Sequence, residues 1–255
     1  MPIKQCFSWW CFENRGVSDA ELLREAKLIG FDGVELIPEH LMGMAQDSGL
    51  EVVTMTGHAS IESGLNDPAQ FNRIQQEIDA SLEVATQYGI KKLIVFSGSK
   101  RAGVSVSESR DTVCEGLRCL SVAAQSAGVT LIVELLNSKR DHPGYEADST
   151  EFGVSVCQAV NSPVVKLLYD IYHMQVMEGD LITNMNLARP YIAHYHTAGN
   201  PGRGEIDDAQ EIQYSGVFRS IAASGYSDYI GHEFIPRGGT LDGLRSAYAL
   251  CNGNT

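Results

Sequence analysis

The sequence lacks any hydrophobic run long enough to cross a bilayer. Apolar stretches such as 131–133 and 164–168 are interrupted within a few residues, whereas a membrane-spanning helix needs about 20 apolar residues in a row. Residues 1–5 contain one lysine and no apolar core of the length that a signal peptide requires. We therefore expect a cytoplasmic protein with no membrane partner.

Basic residues are scarce in this chain. Nineteen Lys and Arg stand against 32 Asp and Glu, which gives a formal net charge of −13 over 255 residues. Surfaces that bind nucleic acids or anionic membranes need clustered Lys and Arg to neutralise phosphate groups. We therefore expect no nucleic-acid partner, whereas a negative field tolerates a bound cation or a small-molecule substrate.

Two common motifs are also missing. The six cysteines form no CxxC pair and no regular framework, so we interpret them as reduced and mostly buried thiols. The segment after the first predicted strand reads Trp9-Trp10-Cys11-Phe12 and contains no glycine-rich phosphate turn. This composition argues against an open doubly wound sheet that binds a dinucleotide.

What the sequence does contain is a regular alternation of helical and strand patterns. Seven helix-to-strand joins, several of them at a glycine, separate eight predicted strands, and 255 residues divided by eight gives about 32 residues per unit. No linker or low-complexity stretch interrupts the alternation. We therefore predict an α/β protein that is a single (β/α)8 TIM barrel domain over residues 1–255. The predicted strands are Lys4–Trp9, Gly33–Leu36, Glu51–Thr56, Lys92–Phe96, Val129–Glu134, Val164–Asp170, Tyr191–His196 and Tyr229–Phe234.

Metal-ligand residue types occur at the ends of the last four predicted strands. They are Glu134, Asp170, His196 and Glu233, and the gaps between them total 99 residues, or three repeats of 33. Because the carboxyl ends of barrel strands share one face, we expect these side chains to converge. The three carboxylates would repel one another without a cation between them. The set predicts a site for one divalent ion and suits Mg²⁺, Mn²⁺, Co²⁺ or Zn²⁺ without choosing among them.

Other polar residues near these strand ends allow several interpretations. His173 could orient a ligand, donate a hydrogen bond to substrate, or face water at the start of a helix. Arg203 lies in a glycine-containing loop after His196, so its guanidinium could reach a substrate oxygen, although an exposed loop arginine is the simpler interpretation. For Glu35 we favour solvation at the rim, and we interpret His194 as a packing residue whose ring points away from that of His196.

Five segments resemble a known family. They are 133–137 (VELLN), 170–175 (DIYHMQ), 194–196 (HYH), 200–205 (NPGRGE) and 231–236 (GHEFIP). Together they resemble the hydroxypyruvate isomerase family, within the sugar isomerases and epimerases that share the xylose-isomerase-like TIM barrel. The likeness runs nearly end to end, and the DxxH and PGRGE elements together are fairly specific for the family.

This resemblance implies roles for six residues. The implied metal ligands are Glu134, Asp170, His196 and Glu233; the implied acid/base pair is Glu134 and Glu233; and the implied substrate contacts are His173 and Arg203. The histidine at position 196 is more similar to the ketose 3-epimerase branch than to some hydroxypyruvate isomerases. Barrels of this group often pair, so a homo-oligomer stays open.

The predicted function is a metal-dependent aldose–ketose isomerase of a small hydroxy-carbonyl substrate, with hydroxypyruvate to tartronate semialdehyde favoured. An enediolate would form when one of two glutamates removes a proton from the carbon beside the carbonyl. One alternative is a ketose 3-epimerase, or a keto-inositol dehydratase or epimerase. Another is a non-catalytic sugar- or metal-binding barrel. An abasic-site endonuclease of the same superfamily is disfavoured by the acidic charge.

Overall fold

The computed structural model describes residues 3–255, and these fall into two compact units. We call residues 54–193 the central unit, and residues 3–53 together with 194–255 the terminal unit. Each unit is built from parallel strands that alternate with helices, as the sequence pattern predicts. No disulfide joins the six cysteines, and all but Cys119 are buried, as the interpretation of mostly buried thiols predicts.

The central unit contains four parallel strands in the order β7-β6-β5-β4. Its hydrophobic core includes the middle of β6, where Leu131, Ile132 and Val133 are fully buried because both faces of the sheet are covered. The elements are β4 (Thr54–Thr56), α3 (Phe71–Tyr88), β5 (Lys92–Val95), α4 (Val106–Ala127), β6 (Thr130–Glu134), α5 (Thr150–Val160), β7 (Val165–Asp170), α6 (Ile171–Met177) and α7 (Leu181–Ala188).

The terminal unit contains parallel strands in the order β3-β2-β1-β9-β8. The boundary between the two units falls inside β8, after Ala193. The elements are β1 (Lys4–Ser8), α1 (Asp19–Ile29), β2 (Gly33–Glu35), α2 (Glu39–Asp47), β3 (Glu51–Val52), β8 (Ile192–Thr197), α8 (Tyr214–Ala223), β9 (Tyr229–His232) and α9 (Thr240–Asn252).

Local signals explain where the helices of the central unit begin and end. Ser105 and Glu108 form a reciprocal capping box at the start of α4, and that helix ends at Gly128 in the left-handed region. The helix α3 buries Ile74 and Ile78 on one side, with the spacing of an amphipathic helix. These helices cover the strands and leave the strand ends available for polar residues.

One predicted strand is divided in the structure. The segment Glu51–Thr56 is interrupted at Val53, so that nine strands lie within residues 3–255 instead of eight. The first part pairs with β2, and the N–H of Val53 still donates to the carbonyl of Val34 at 2.9 Å. The second part pairs with β5, where Thr54 lies opposite Lys92. The division therefore follows a change of hydrogen-bonding partner.

The strand register places polar residues at equivalent positions in the two units. On β6, Glu134 lies opposite Leu168, and Asp170 follows two residues later on β7. On β8, His196 lies opposite Gly231, and Glu233 follows two residues later, just after β9. Because residues two apart share a face of a strand, each unit presents one pair of candidate ligands with the same offset.

No helix within residues 3–255 is long and apolar enough to cross a membrane.

Candidate metal centre and active site

The terminal unit brings His196 and Glu233 together. Both side chains are buried, and His196 Nδ1 lies 3.1 Å from Glu233 Oε2. His196 belongs to β8 and Glu233 follows β9, so two neighbouring strands position the pair. An imidazole nitrogen and a carboxylate oxygen at this separation can hold a proton or a cation between them.

Glu233 has two further partners, Trp10 and Arg203, and nothing in the sequence indicated that these three residues lie together. Trp10 donates its indole N–H to Glu233 Oε1 at 3.0 Å, and Arg203 donates to Oε2 at 2.5 Å. Arg203 adopts a left-handed backbone conformation with φ of 54°, and its guanidinium lies 5.4 Å from the centre of the Trp10 ring. Arg203 is therefore half-buried against Glu233, which excludes the interpretation that it is an exposed loop arginine.

The charges around Glu233 decide its ionisation. Burial alone would raise the pKa of this carboxyl, but the charges of His196 and Arg203 outweigh burial and hold the pKa well below its ordinary value. Glu233 is therefore a carboxylate that can accept a proton or coordinate a cation, and it is not a buried neutral acid.

The interpretation of Glu35 as a solvated rim residue is wrong. Glu35 ends β2 and is fully buried, with Oε1 at 3.0 Å from the hydroxyl of Ser8 and 3.2 Å from His196 Nε2. Its Oε2 lies 2.8 Å from His194 Nε2. Burial would raise the pKa of Glu35, but the two imidazoles outweigh it and hold the pKa well below its ordinary value.

The expectation that the ring of His194 points away from that of His196 is also wrong. His194 and His196 are two residues apart on β8, so their side chains share one face of the strand. Their ring centres lie 5.2 Å apart, and both rings face the Glu35 carboxylate. His194 is fully buried, as a packing residue is, but it packs as part of a charged cluster.

The central unit brings Glu134 and Asp170 together in the same manner. Both are buried, and each offers a carboxylate oxygen within 4.8 Å of the other's. Asp170 caps α6 by accepting the backbone N–H of His173 at 2.9 Å. The hydroxyl of Tyr145 donates to the backbone carbonyl of Glu134 at 3.0 Å and accepts the N–H of Ser97. Two buried carboxylates this close favour a bound cation.

His173 is fully buried in the central unit, which excludes the interpretation that it faces water. Its Nδ1 accepts the backbone N–H of Asn137 at 3.1 Å, and the side-chain amide of Asn137 lies 2.6 Å from the same atom. Because a backbone N–H can only donate, Nδ1 must be the unprotonated nitrogen and Nε2 must carry the proton. His173 therefore presents a neutral N–H donor, and its Nε2 lies 3.8 Å from Asp170 Oδ2.

His58 follows β4 and has a similar arrangement. It is buried, and its Nε2 accepts the backbone N–H of Phe96 at 2.9 Å. Burial lowers the pKa of His58 to about 4, with a further contribution from the nearby Arg73. His58 is consequently a neutral imidazole at neutral pH.

Each unit also contains a supporting residue that the sequence did not single out. Trp10 follows β1 and supports Glu233, whereas Asn137 follows β6 and fixes His173. The rule that carboxyl ends of strands carry functional residues would have found both if it had been applied to every strand and to the three residues after it.

Both pairs suit a divalent cation. The central pair supplies two carboxylates, and the terminal pair supplies an imidazole and a carboxylate whose nearest atoms face each other at 3.1 Å. Oxygen and imidazole donors without a thiolate are typical of Mg²⁺, Mn²⁺, Co²⁺ and Zn²⁺ sites. The ionised carboxylate of Glu233 can also act as a proton acceptor.

Comparison with known proteins identifies one family model and several similar isomerases. A family model described as xylose isomerase-like TIM barrel matches residues 23–250. The chain is 34% identical to 2-oxo-tetronate isomerase of Cupriavidus necator over 167 residues, which are 66% of this chain and 64% of that protein. It is 32% identical to hydroxypyruvate isomerase of Escherichia coli over 178 residues, which are 70% of this chain and 68% of that protein.

A solved structure is also similar over almost the whole chain. The crystal structure of AP endonuclease, family 2, from Brucella melitensis is 28% identical, with a TM-score of 0.81, and the match covers 96% of this chain and 97% of that one.

Proposed function

The chain belongs to the xylose isomerase-like TIM barrel family, and we propose that it is a divalent-metal-dependent isomerase that converts hydroxypyruvate to tartronate semialdehyde. Family membership confirms the (β/α)8 barrel class predicted from the sequence. The curated relatives identify it as an isomerase of small hydroxy-carbonyl compounds. The choice of substrate, the metal and the roles of individual residues are the finer parts of the proposal.

The observation that supports the metal most strongly is the equal offset of the two ligand pairs. Glu134 and Asp170 end consecutive strands, and His196 and Glu233 stand in the same relation on the next two strands. In a (β/α)8 barrel the carboxyl ends of consecutive strands lie at one rim. We propose that these four residues hold one divalent ion, which could be Mg²⁺, Mn²⁺, Co²⁺ or Zn²⁺.

When bound, such an ion supplies Lewis-acid stabilisation of the negative charge that develops on the substrate oxygens. The proton transfers belong to the protein. Glu134 and Glu233 act as the acid/base pair: one removes the proton from the carbon beside the carbonyl, and the same or the other glutamate returns it to the neighbouring carbon. The low pKa of Glu233 means that this residue begins the reaction as a carboxylate.

Two further residues contact substrate in this proposal. His173 donates from Nε2 to a substrate oxygen, because its other nitrogen is occupied by Asn137. Arg203 holds Glu233 and places a positive charge beside it, where a substrate carboxylate would also be attracted.

A ketose 3-epimerase is the second candidate. It is favoured by the histidine at position 196 and by two glutamates, which permit return of the proton to the opposite face of the same carbon. A nuclease activity is less favoured despite the name of the similar Brucella structure, because the net charge of −13 would repel a polyanion.

The test is exchange of substrate hydrogen in deuterated water. We expect the Mn²⁺-loaded protein to incorporate deuterium beside the carbonyl of hydroxypyruvate and to form tartronate semialdehyde, as followed by proton NMR, with EDTA-treated protein as the control. Exchange with formation of an epimeric ketose would favour the second candidate. Binding of Mn²⁺ without exchange on hydroxypyruvate or on any C3–C6 ketose would contradict the proposal and indicate a non-catalytic binding protein.

A further inference from the structure

Glu35 joins two buried imidazoles inside the terminal unit, and we propose that it is a positioning residue that fixes His196 with Nδ1 turned toward the metal. The inference rests on the proposed function, since it assigns a role relative to the divalent ion. It concerns a residue that would not touch the ion or the substrate itself.

The contacts of the Glu35 carboxylate determine where the protons lie. A carboxylate can only accept hydrogen bonds, so a neutral imidazole nitrogen next to it must carry the proton. His194 Nε2 lies 2.8 Å from Oε2, and His196 Nε2 lies 3.2 Å from Oε1. Ser8 donates its hydroxyl to Oε1 at 3.0 Å and completes the cluster. His194 therefore keeps a proton on Nε2, and the nearby carboxylate favours a proton on Nε2 of His196 as well.

The other ring nitrogen of His196, Nδ1, is then left without a proton. With the proton on Nε2, Nδ1 carries a lone pair, and this atom lies 3.1 Å from Glu233 Oε2. A lone pair facing a carboxylate is unfavourable, so a proton or a metal ion must lie between them, and a bound metal ion takes the place of that proton. Histidine ligands of protein metal sites commonly donate their other N–H to a carboxylate, which fixes the ring and strengthens the ligand.

The structure holds Glu35 firmly in this position. The side chain is fully buried at the end of β2, and β9, which pairs with the strand of His196, contributes a glycine at position 231. A Cβ at Gly231 would collide with Glu35 Oε1 and would press on the ring of His196. The absence of a side chain at 231 therefore leaves room for the carboxylate beside the imidazole.

A second metal site is the competing explanation for the same cluster. Cys6, Glu35 and His194 also offer ligand atoms within 4.8 Å of one another. A positioning role predicts one bound ion per chain, whereas a second site predicts two.

The experiment is a calorimetric titration of Mn²⁺ into EDTA-stripped protein, with Glu35→Gln as the variant. Gln keeps one acceptor oxygen and turns a donor toward the other imidazole, so we expect the Kd for Mn²⁺ to rise about 10- to 100-fold with a stoichiometry of one. The matched control is Glu146→Gln, another buried glutamate held by Ser109 and Asn66, which should leave the Kd unchanged.

A spectroscopic measurement tests the wild-type protein directly, even if Glu35→Gln does not fold. Nitrogen NMR of histidine-labelled protein loaded with diamagnetic Zn²⁺ should show His196 with its proton on Nε2 and with Nδ1 bound to the ion, and the His196→Gln variant assigns the signal. The Nδ1–H tautomer, an unchanged Mn²⁺ affinity in Glu35→Gln, or two ions per wild-type chain would overturn the inference. Failure of the wild-type protein to bind Mn²⁺ would instead contradict the proposed function.

Discussion

The imidazoles of the two units are held in opposite ways. In the central unit, His58 and His173 each accept a backbone N–H, so the nitrogen toward the backbone has no proton. In the terminal unit, His194 and His196 face the Glu35 carboxylate, so the nitrogen toward it carries the proton. The same side chain is thus an acceptor in one unit and a donor in the other, and its partner decides which.

The position of each histidine along the chain explains the difference. His58 and His173 lie beyond the ends of β4 and β7, where backbone N–H groups of neighbouring loops are not used by a sheet. His194 and His196 lie within β8, where the backbone groups pair with the adjacent strand. A histidine inside a strand therefore needs a side-chain partner, and Glu35 is the one that the terminal unit supplies.

The largest expected effect tests whether the two units contribute equally to catalysis. Replacement of the central Glu134 or the terminal Glu233 by Gln should lower kcat about 10²- to 10⁴-fold, because each would lose a general acid or base. The rate should be measured at saturating Mn²⁺, since both residues are also proposed ligands. Circular dichroism should show that each variant is folded, and retained turnover in either one would reject its acid/base role.

Much of the fold could be predicted because its signals are local. The predicted strands agree with the structure within two residues at nearly every end, since β-branched runs and glycine joins mark each strand separately. The candidate ligands were also predictable, because Glu134 and Asp170 stand at the ends of strands and the structure brings them together.

The cluster around Glu35 could not be predicted from such signals. Its partners His194 and His196 are about 160 residues away in the sequence, on a strand that is not adjacent to β2. No local pattern reports that distance, and a glutamate at a strand end is ordinarily solvated. The orientation of His194, in contrast, could have been predicted, because residues two apart on a strand share a face.

The second prediction concerns His58, one of the two neutral imidazoles of the central unit. The pKa of His58 is lowered to about 4 from 6.5, so the unfolded chain binds a proton below pH 6.5 while the folded chain does not. The stability that this group contributes is complete above pH 6.5 and is lost as the pH falls toward 4. We expect His58 to lower the free energy of unfolding by about 2 to 3 kcal/mol when the pH falls from 7 to 4.5.

The measurement is urea denaturation of EDTA-treated wild type and His58→Gln at pH 7 and 4.5. Gln retains an oxygen that can accept the N–H of Phe96 but does not titrate, so the variant should lose less stability on acidification. The exposed His40→Gln is the control and should lose as much as wild type. Equal losses in wild type and His58→Gln would show that His58 is not held neutral.

The smallest expected effect compares how each unit supports one of its glutamates. The terminal unit supports Glu233 through its carboxylate, which accepts the indole N–H of Trp10, whereas the central unit supports Glu134 through its backbone carbonyl, which accepts the hydroxyl of Tyr145. Trp10→Phe should therefore lower kcat about fivefold with little change in stability, since loss of one partly exposed hydrogen bond corresponds to about 1 kcal/mol.

Tyr145→Phe is the matched variant in the central unit and should behave in the opposite way. It leaves the buried N–H of Ser97 without its acceptor, so the free energy of unfolding should fall by about 1 to 3 kcal/mol while kcat changes little. Turnover assays at saturating substrate and Mn²⁺, together with urea denaturation, separate the two outcomes. If Tyr145→Phe lowered kcat as much as Trp10→Phe does, side-chain support of the carboxylate would not distinguish the terminal unit from the central one.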